Sequence, residues 1–277
     1  MQFSSLYKKF LILSVKIISR LILRPLIAKK DYQSLFFRIY KLGLYGMNYG
    51  RMGGVEEERS GILFFKETIK NYDKNLILFD IGSNIGEFSL MSLRLLNNSK
   101  INIHAFEPSI ISFQTLKNNI GFYDFVFLNN LGLGNKKSEK FLLNSGSKIA
   151  QVIDLAGSDN SIEKINIISL DEYCQTNQIS HIDYLKIDVE GYEMEVLKGA
   201  TALLSNNCID FIQFEFGYPS VSLNSGHYFS TYFNLLSDKY DIYRILNDGI
   251  IPILVPDEFE IYLGANYLAC NKNISNN

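Results

Sequence analysis

The stretch Leu76-Ile77-Leu78-Phe79-Asp80-Ile81-Gly82-Ser83-Asn84-Ile85-Gly86 decides the fold of this 277-residue chain. A short apolar run ends in an acid and in a turn that contains two glycines. Residues 87–96 then carry apolar side chains at the spacing of a helix with one buried side. The sequence therefore predicts a buried strand, a glycine-bearing turn and a helix, in that order.

The same alternation of strand and helix continues along the chain. Further strands are predicted at residues 101–106, 125–128, 182–188, 211–215 and 261–270. Helices are predicted at 110–120 and 193–204, hairpin strands between 133 and 170, and a hairpin at 240–255. Strands that are apolar on both faces and alternate with amphipathic helices predict an α/β fold. Its sheet is mostly parallel and covered on both sides, with an antiparallel hairpin near the C-terminal end.

The composition is that of a globular domain with a sizeable core. Hydrophobic residues make up 47% of the chain and charged residues 20%, with a net charge of −2. Nucleic-acid binders usually show a basic excess, so no nucleic-acid partner is expected. The three cysteines are far apart in sequence and form no Cys-x-x-Cys pair. This pattern predicts a cytoplasmic protein with reduced cysteines, not a disulfide framework or a zinc site.

Residues 3–27 differ in character from the rest of the chain. They are mostly apolar but carry five basic residues, and no acid precedes Asp31. On a helix, Lys9, Lys16 and Arg20 fall on one side. Charges in mid-segment argue against a membrane span, and no small-x-small cleavage site of a secretory signal is present. A basic amphipathic helix at the inner face of the cell membrane fits best. A helix packed on the domain or on a second subunit, and a true span, remain alternatives.

Four predicted strands end in a carboxylate, at Asp80, Glu107, Asp188 and Glu215. The carboxyl ends of parallel strands share one edge of a sheet, and ligands bind outside that edge. One such acid is usually a helix cap or a solvated loop residue. Four like charges at one edge reduce stability unless a ligand needs them, so this edge is the predicted site.

The turn after Asp80 differs from a phosphate-binding loop. Dinucleotide folds use Gly-x-Gly-x-x-Gly, whereas this turn is Asp-x-Gly-x-Asn-x-Gly, with Gly82, Asn84 and Gly86. An acid repels a pyrophosphate but attracts an ammonium or sulfonium group. Glu107, at the end of the next strand, is placed to accept hydrogen bonds from both ribose hydroxyls. The predicted ligand is a nucleoside with a cationic tail, and S-adenosylmethionine matches that description.

Several sequence blocks resemble the FkbM-type methyltransferases. They are residues 78–86, Phe106-Glu107-Pro108, residues 182–200, Phe214-Glu215 and Asn266-Tyr267-Leu268-Ala269. The stretch Tyr184-Leu185-Lys186-Ile187-Asp188-Val189-Glu190-Gly191 is the most specific of them, since many methyltransferases share the glycine turn. The resemblance spans roughly residues 61–271. Ser83 is a departure, because alanine is usual at that position.

This resemblance implies a class I methyltransferase fold, which is a Rossmann-like sheet of seven strands, and O-methylation of sugars or other small hydroxyl-bearing metabolites. It implies that Asp80, Gly82 and Gly86 contact the methionine part of S-adenosylmethionine and that Glu107 contacts the ribose. We also include Asn84 and Asp188 in the predicted cofactor site.

The reaction needs alignment and a group that removes the proton of the acceptor hydroxyl. Asp188, Glu190 and Glu215 are the predicted catalytic residues, as base or as groups that orient the acceptor. A magnesium ion held by these three carboxylates is a less favoured alternative, and no metal is predicted. His227 is a further candidate base. Lys186 lies within an apolar strand, so it is predicted to pair with one of the carboxylates.

The resulting organisation has four parts. They are a basic N-terminal helix at 1–30, a helical lead-in at 31–74, the methyltransferase domain at 75–271 and a tail at 272–277. A role in cell-surface polysaccharide biosynthesis is one expectation. The alternatives are a nicotinamide-dependent sugar oxidoreductase, against which the turn at Asp80 argues, and a non-catalytic membrane-associated nucleotide-binding scaffold. The oligomeric state and the acceptor stay open.

Overall fold

The structure is a computed structural model that describes residues 5–47, 55–96, 100–147, 150–154, 162–217, 227–255 and 264–275. The chain consists of two compact units, one of residues 1–47 and one of residues 48–277. The helix expected at the N-terminus belongs to the first unit. The predicted sheet belongs to the second.

The first unit is helical. Helix α1 (Ser5–Ile18) continues into a π-helical turn (Ser19–Leu23) and a 3₁₀ turn (Arg24–Leu26), and a second 3₁₀ turn (Lys30–Tyr32) leads into α2 (Gln33–Gly46). None of the residues of α1 is buried, and Leu44 is the buried residue of α2. Within the described residues, no helix combines the length and the apolar character that crossing a membrane requires.

The second unit is built on a large sheet. Its strands are β1 (Leu76–Ile81), β2 (Ile101–Phe106), β3 (Val126–Asn129), β8 (Ile182–Ile187), β9 (Ile209–Phe216), β10 (Tyr240–Leu246), β11 (Gly249–Ile253) and β12 (Ala265–Asn271). The order across the sheet is β11-β10-β12-β9-β8-β1-β2-β3. The five strands from β9 to β3 in that order are parallel, and β12 is antiparallel to both of its neighbours. The predicted mostly parallel α/β sheet is therefore confirmed.

This sheet has more strands than expected. In the described residues it has eight strands where seven were expected, because β11 pairs with β10 as the second arm of the C-terminal hairpin. The described part of the last strand begins at Ala265, and residues 261–263 of the predicted strand lie outside the described residues.

Helices cover both faces of the large sheet. Successive side chains of a strand point to opposite faces, so neighbouring residues of one strand contact different helices. The helices of the second unit are α3 (Val55–Thr68), α4 (Glu87–Leu95), α5 (Ile110–Ile120), α6 (Leu170–Thr176), α7 (Glu193–Lys198), α8 (Thr201–Ser205), α9 (Phe229–Leu236) and α10 (Lys272–Ser275). Leu78 belongs to a core cluster with Phe65 of α3 and Phe88 of α4. Its neighbour Phe79 contacts Tyr173 of α6 edge to face on the other side.

A second, four-stranded sheet lies between β3 and α6 in the sequence. It contains β4 (Gly132–Leu133), β5 (Ser138–Leu143), β6 (Gln151–Ile153) and β7 (Glu163–Ile168), in the order β4-β7-β5-β6. The expectation of hairpin strands between 133 and 170 is confirmed by the antiparallel β5–β6 and β5–β7 pairs.

The single helix predicted at 193–204 is wrong, because the structure has two short helices there, α7 and α8. The break falls at Gly199, where a Cβ atom would lie 2.0 Å from the carbonyl oxygen of Gly134. The close approach of this loop interrupts the helix, and only a glycine leaves room for it.

Candidate active site

The four strand-end carboxylates lie at one edge of the large sheet. Strands β2, β1, β8 and β9 are parallel neighbours, and Asp80 of β1 is in register with Lys186 of β8. Asp188 follows β8 directly, and its amide donates to the carbonyl of Ile81 (3.0 Å). The strand that ends at Asp188 therefore lies beside β1.

The turn from Gly82 to Gly86 is tied to the end of β2. The amides of Gly82 and Ser83 both donate to the carbonyl of Phe106, at 3.0 and 2.9 Å. The Ser83 hydroxyl donates to the Asp80 carbonyl (2.6 Å) and accepts from the Phe106 amide (3.0 Å). The serine that replaces the usual alanine therefore adds two hydrogen bonds between the turn and its strands, a role that sequence reasoning missed.

Both glycines of the turn have positive φ, +79° at Gly82 and +88° at Gly86. A Cβ atom at Gly82 would lie 1.8 Å from the carbonyl oxygen of Asp188, and one at Gly86 would lie 2.9 Å from Leu116 of α5. The family resemblance implies that these glycines contact the cofactor. The structure gives a second reason, which is close packing of the turn against β8 and α5.

Asp80 is fully buried, and one of its carboxylate oxygens has an open hydrogen-bonding position. Its Oδ2 accepts from the Ser89 hydroxyl of α4 (2.6 Å). Its Oδ1 has no hydrogen-bond partner among the described residues and lies 3.9 Å from Lys186 Nζ. Burial raises the pKa of Asp80, and the Lys186 charge opposes that rise. A buried carboxylate oxygen without a partner is suited to bind a cationic donor such as an ammonium group.

Glu107 holds the turn from the other side. Its Oε1 accepts from the Ser109 amide and its Oε2 from the Asn84 amide, both at 2.8 Å. Burial raises the pKa of Glu107 to about 7, against the effect of these two hydrogen bonds. Each carboxylate oxygen has a further lone pair, so Glu107 can still accept from two hydroxyl groups. Asn84 takes part in this contact through its backbone and has φ +47°.

Lys186 is the buried cation of the site, as predicted, and it has three carboxylate neighbours. Its Nζ lies 3.1 Å from Asp188 Oδ2, 3.5 Å from Glu58 Oε1 and 3.9 Å from Asp80 Oδ1, and it sits over the ring of Phe88. Burial alone lowers the pKa of Lys186, but the surrounding carboxylates hold it above its usual range. Sequence reasoning missed Glu58, because three successive acids near the start of a helix, residues 56–58, carry no sign that one is buried.

Glu190 and Glu193 differ in their roles. Glu193 is 1% exposed, and its Oε1 accepts from the amides of Val189 (3.1 Å) and Gly191 (3.0 Å), so it stabilises the loop before α7. Glu190 is half-buried with φ +52°. Burial, with the charge of Asp188 added to it, raises the pKa of Glu190 to about 7. A carboxyl group that titrates near neutral pH is suited to acid–base chemistry.

Glu215 completes the carboxylate edge. Burial holds the pKa of Glu215 well above its usual range, and the charges of Asp188 and Glu190 add to the rise. Gly264 leaves space for it, since a Cβ atom there would lie 2.5 Å from Glu215 Oε1. The charge of Asp188 therefore reaches both predicted catalytic glutamates, Glu190 and Glu215.

Within the described residues, one group of side chains has ligand atoms close enough together to suggest a metal site, and it is not this one. His181, Asp183 and Asp210 have such atoms within 4.8 Å of one another, but Lys74 contacts both carboxylates. This cluster lies at the amino ends of β8 and β9, away from the predicted site. Asp188, Glu190 and Glu215 do not form a comparable group in the described residues.

The remaining histidines do not join the carboxylate cluster. His104 is stacked between Phe79 and Phe127, and its Nδ1 is 2.9 Å from the Tyr173 hydroxyl. His227 is partly exposed, and burial lowers its pKa. Residues 218–226, which precede His227, lie outside the described residues.

Comparison with known proteins gives one family. Residues 80–241 match the methyltransferase FkbM domain. Among curated proteins, hexuronic acid methyltransferase AglP of Haloferax volcanii is 30% identical over 138 residues, a match that covers 50% of this chain and 55% of that protein. The chain thus spans about half the length of the curated relative it matches.

Two solved structures are also similar. Methyltransferase FkbM from Methylobacillus flagellatus KT has a TM-score of 0.42 and 19% identity, and the match covers 75% of this chain and 50% of the other. TrmK of M. capricolum, in complex with S-adenosylhomocysteine, has a TM-score of 0.37 and 14% identity, and the match covers 76% of this chain and 68% of the other.

Proposed function

The chain belongs to the FkbM methyltransferase family, and we propose that it transfers the methyl group of S-adenosylmethionine to a hydroxyl group of a sugar, a glycan or a similar polar metabolite. The observation that carries the proposal is Asp80 Oδ1, a fully buried carboxylate oxygen that has no hydrogen-bond partner in the described residues. This oxygen lies at the carboxyl edge of the sheet, where ligands of such folds bind.

The residues present fit this cofactor. Asp80 would accept from the ammonium group of the methionine part, and Glu107, with a free lone pair on each oxygen, would accept from the ribose hydroxyls. Gly82, Asn84 and Gly86 form the turn that joins these two acids, since the Asn84 amide donates to Glu107. When bound, the cofactor supplies a methyl group that is already activated by the positive charge on sulfur.

The remaining carboxylates would act on the acceptor. Lys186 Nζ lies 3.1 Å from Asp188 Oδ2, and Asp188 would orient the acceptor hydroxyl. Glu190, whose pKa burial raises to about 7, would take the hydroxyl proton onto its carboxylate. Glu215, whose pKa burial holds well above its usual range, would bind a hydroxyl group of the acceptor.

The acceptor class follows from the relative and from the chemistry of the site. The relative from Haloferax volcanii acts on a hexuronic acid, according to its name. A sugar offers one hydroxyl whose proton can be removed and further hydroxyls that can donate to carboxylates. This agrees with a site rich in hydrogen-bond acceptors. We therefore propose a sugar or glycan acceptor, with a role in cell-surface polysaccharide biosynthesis.

Calorimetry tests cofactor binding and separates the proposal from its alternatives. The wild-type chain should bind S-adenosylmethionine and not NAD, and Asp80→Asn should abolish that binding while keeping a side chain of the same shape. Asp73→Asn is a suitable control, because the side chain of Asp73 is 99% exposed. Binding of NAD alone would support the oxidoreductase, and binding of neither ligand the scaffold.

Activity is tested by incubating the chain and labelled cofactor with a cell-envelope glycan extract and identifying the product by mass spectrometry. Label should appear as a methyl ether on a sugar. It should be absent with Asp80→Asn and present with Asp73→Asn. A wild-type chain that binds the cofactor but labels no sugar would refute the acceptor class.

We further propose that residues 3–27 place the enzyme at the inner face of the cell membrane. The described part of this segment exposes large apolar side chains, among them Leu6 at 77%, Val15 at 65% and Leu21 at 69%. Basic residues accompany them, including Lys9, Lys16 and Arg20. Exposed apolar area combined with positive charge is what binds a helix to an anionic lipid surface.

Cosedimentation with vesicles tests this placement. The full chain should sediment with vesicles that contain phosphatidylglycerol and much less with pure phosphatidylcholine vesicles. A K9E/K16E/R20E variant and a chain without residues 1–30 should both stay in the supernatant. Equal partitioning of the shortened and the full chain would refute membrane contact and favour the packed helix.

A further inference from the structure

Glu58 lies before the stretch that matches the family, yet it contacts the buried cation of the site. Its Oε1 is 3.5 Å from Lys186 Nζ, which is itself 3.1 Å from Asp188 Oδ2 and 3.9 Å from Asp80 Oδ1. Glu58 is 7% exposed and Lys186 is 5% exposed. Away from bulk water these charges interact strongly. One cation therefore balances three carboxylates, one of which comes from α3.

The packing of α3 explains how Glu58 reaches Lys186. Gly61 follows Glu58 by three residues, on the same side of the helix. A Cβ atom at Gly61 would lie 2.8 Å from Gln213 Oε1 and 2.9 Å from the Tyr184 hydroxyl, so α3 lies directly on β8 and β9. Phe65, one turn further on, has no exposed surface. The helix therefore lies so close to the sheet at Gly61 that a larger side chain at this position would collide with the sheet.

The ionisation of Glu58 is linked to the cluster that it faces. The titratable groups around it are Lys186 and Tyr184 on β8, Asp188 directly after β8 and Asp80 on β1. Burial raises the pKa of Glu58 to about 7, with Lys186 acting against the rise and the two aspartates adding to it. Lys186 is shared among the three carboxylates. When Glu58 is ionised, the positive charge of Lys186 is therefore balanced partly by Glu58, and it neutralises Asp80 less.

We propose that Glu58 is a positioning residue of the cofactor site, which acts through Lys186 to control how much negative charge Asp80 presents to the ammonium group of S-adenosylmethionine. The inference rests on the proposed function. Ionisation of Glu58 adds one negative charge to the cluster and leaves Asp80 less neutralised. A cationic cofactor then binds more tightly, so its affinity rises as the pH passes through the range in which Glu58 loses its proton.

Calorimetry with S-adenosylmethionine at pH 6 and pH 8 tests the role of Glu58. For the full wild-type chain, affinity should rise about fivefold between these pH values, which is what about one unit of pKa coupling gives for a group that titrates near pH 7. Glu58→Gln keeps the side-chain shape and should reduce the rise to about threefold or less. Glu67→Gln is the matched control, because Glu67 lies on the same helix, its side chain is 71% exposed and it pairs with Lys70. This control should keep the wild-type rise.

The outcomes separate this inference from the proposed function. A wild-type chain that binds no S-adenosylmethionine overturns both. Wild-type binding with an unchanged pH dependence in Glu58→Gln, or with an equal loss in Glu67→Gln, overturns only the role of Glu58. Urea unfolding at both pH values checks that the variants fold. Glu58→Gln should fold at least as well as wild type at pH 8, because it removes one of three carboxylates that share a cation. A Glu58→Gln chain that fails to fold also overturns the inference.

Discussion

Lys186→Met should destabilise the protein strongly, and in a pH-dependent way. Methionine approximates the volume of the lysine stem but removes the charge that balances Glu58, Asp80 and Asp188. Removing one partner of a buried ion pair costs about 3–5 kcal/mol. The contact of Nζ with the Phe88 ring, 4.9 Å from its centroid, is lost as well. We therefore expect the free energy of unfolding at pH 7 to fall by about 3–5 kcal/mol.

The loss should shrink in acid. Without the lysine charge, the pKa values of Glu58 and Asp80, which burial already raises, increase further. The two carboxyl groups then take up protons in the folded state, and neutral groups no longer repel one another. At pH 5 the cost of the substitution should be less than about half of its value at pH 7.

Urea unfolding followed by circular dichroism measures both quantities. Lys70→Met is the control, because the side chain of Lys70 is 59% exposed and its pair with Glu67 is a surface pair on one helix. Such pairs contribute about 0.2–1 kcal/mol, so the control should change stability by no more than that. A loss below about 1 kcal/mol for Lys186→Met at pH 7, or a loss equal at the two pH values, would show that the lysine does not balance this cluster.

Three further predictions concern the turn, the base and a distant ion pair. Gly82→Ala should lower the free energy of unfolding by more than the roughly 1–2 kcal/mol that a left-handed conformation costs an alanine, because φ is +79° and the added Cβ atom meets backbone. Gly43→Ala should not lower it, because there is open space around Gly43. Glu190→Gln should lower kcat about a hundredfold at pH 8 and remove the rise of rate with pH near 7, measured by label transfer to the acceptor. His181 Nε2 lies 3.0 Å from Asp210 Oδ2, and this carboxylate raises the pKa of the histidine, so the pair should stabilise the fold fully below the ordinary histidine pKa and less as pH rises through the folded value. His181→Gln should therefore lose more stability at pH 6 than at pH 9 in urea unfolding, and an equal loss at both would refute the charged pair.

Local patterns in the sequence predicted most of the elements and the edge that carries the site. The apolar run at 76–79 and the helical spacing at 110–120 depend on residues that are close in sequence, and both match β1 and α5. The family resemblance, which the match over residues 80–241 confirms, depends on blocks of the same kind. In contrast, the helix predicted at 193–204 fails at Gly199, because the break depends on a contact with Gly134, 65 residues earlier in the numbering.

The turn from Asp80 to Gly86 shows the same division. Its acid, its glycines and its place after a strand are properties of adjacent residues, and together with Glu107 after the next strand they predict a nucleoside ligand with a cationic tail. Only the tertiary structure decided that Gly82 is required by the Asp188 carbonyl, and that Asp80 shares Lys186 with Glu58 from a helix outside the family match. The reason is physical: a residue's type and spacing limit its local conformation, whereas its partners across the sheet depend on how distant segments pack.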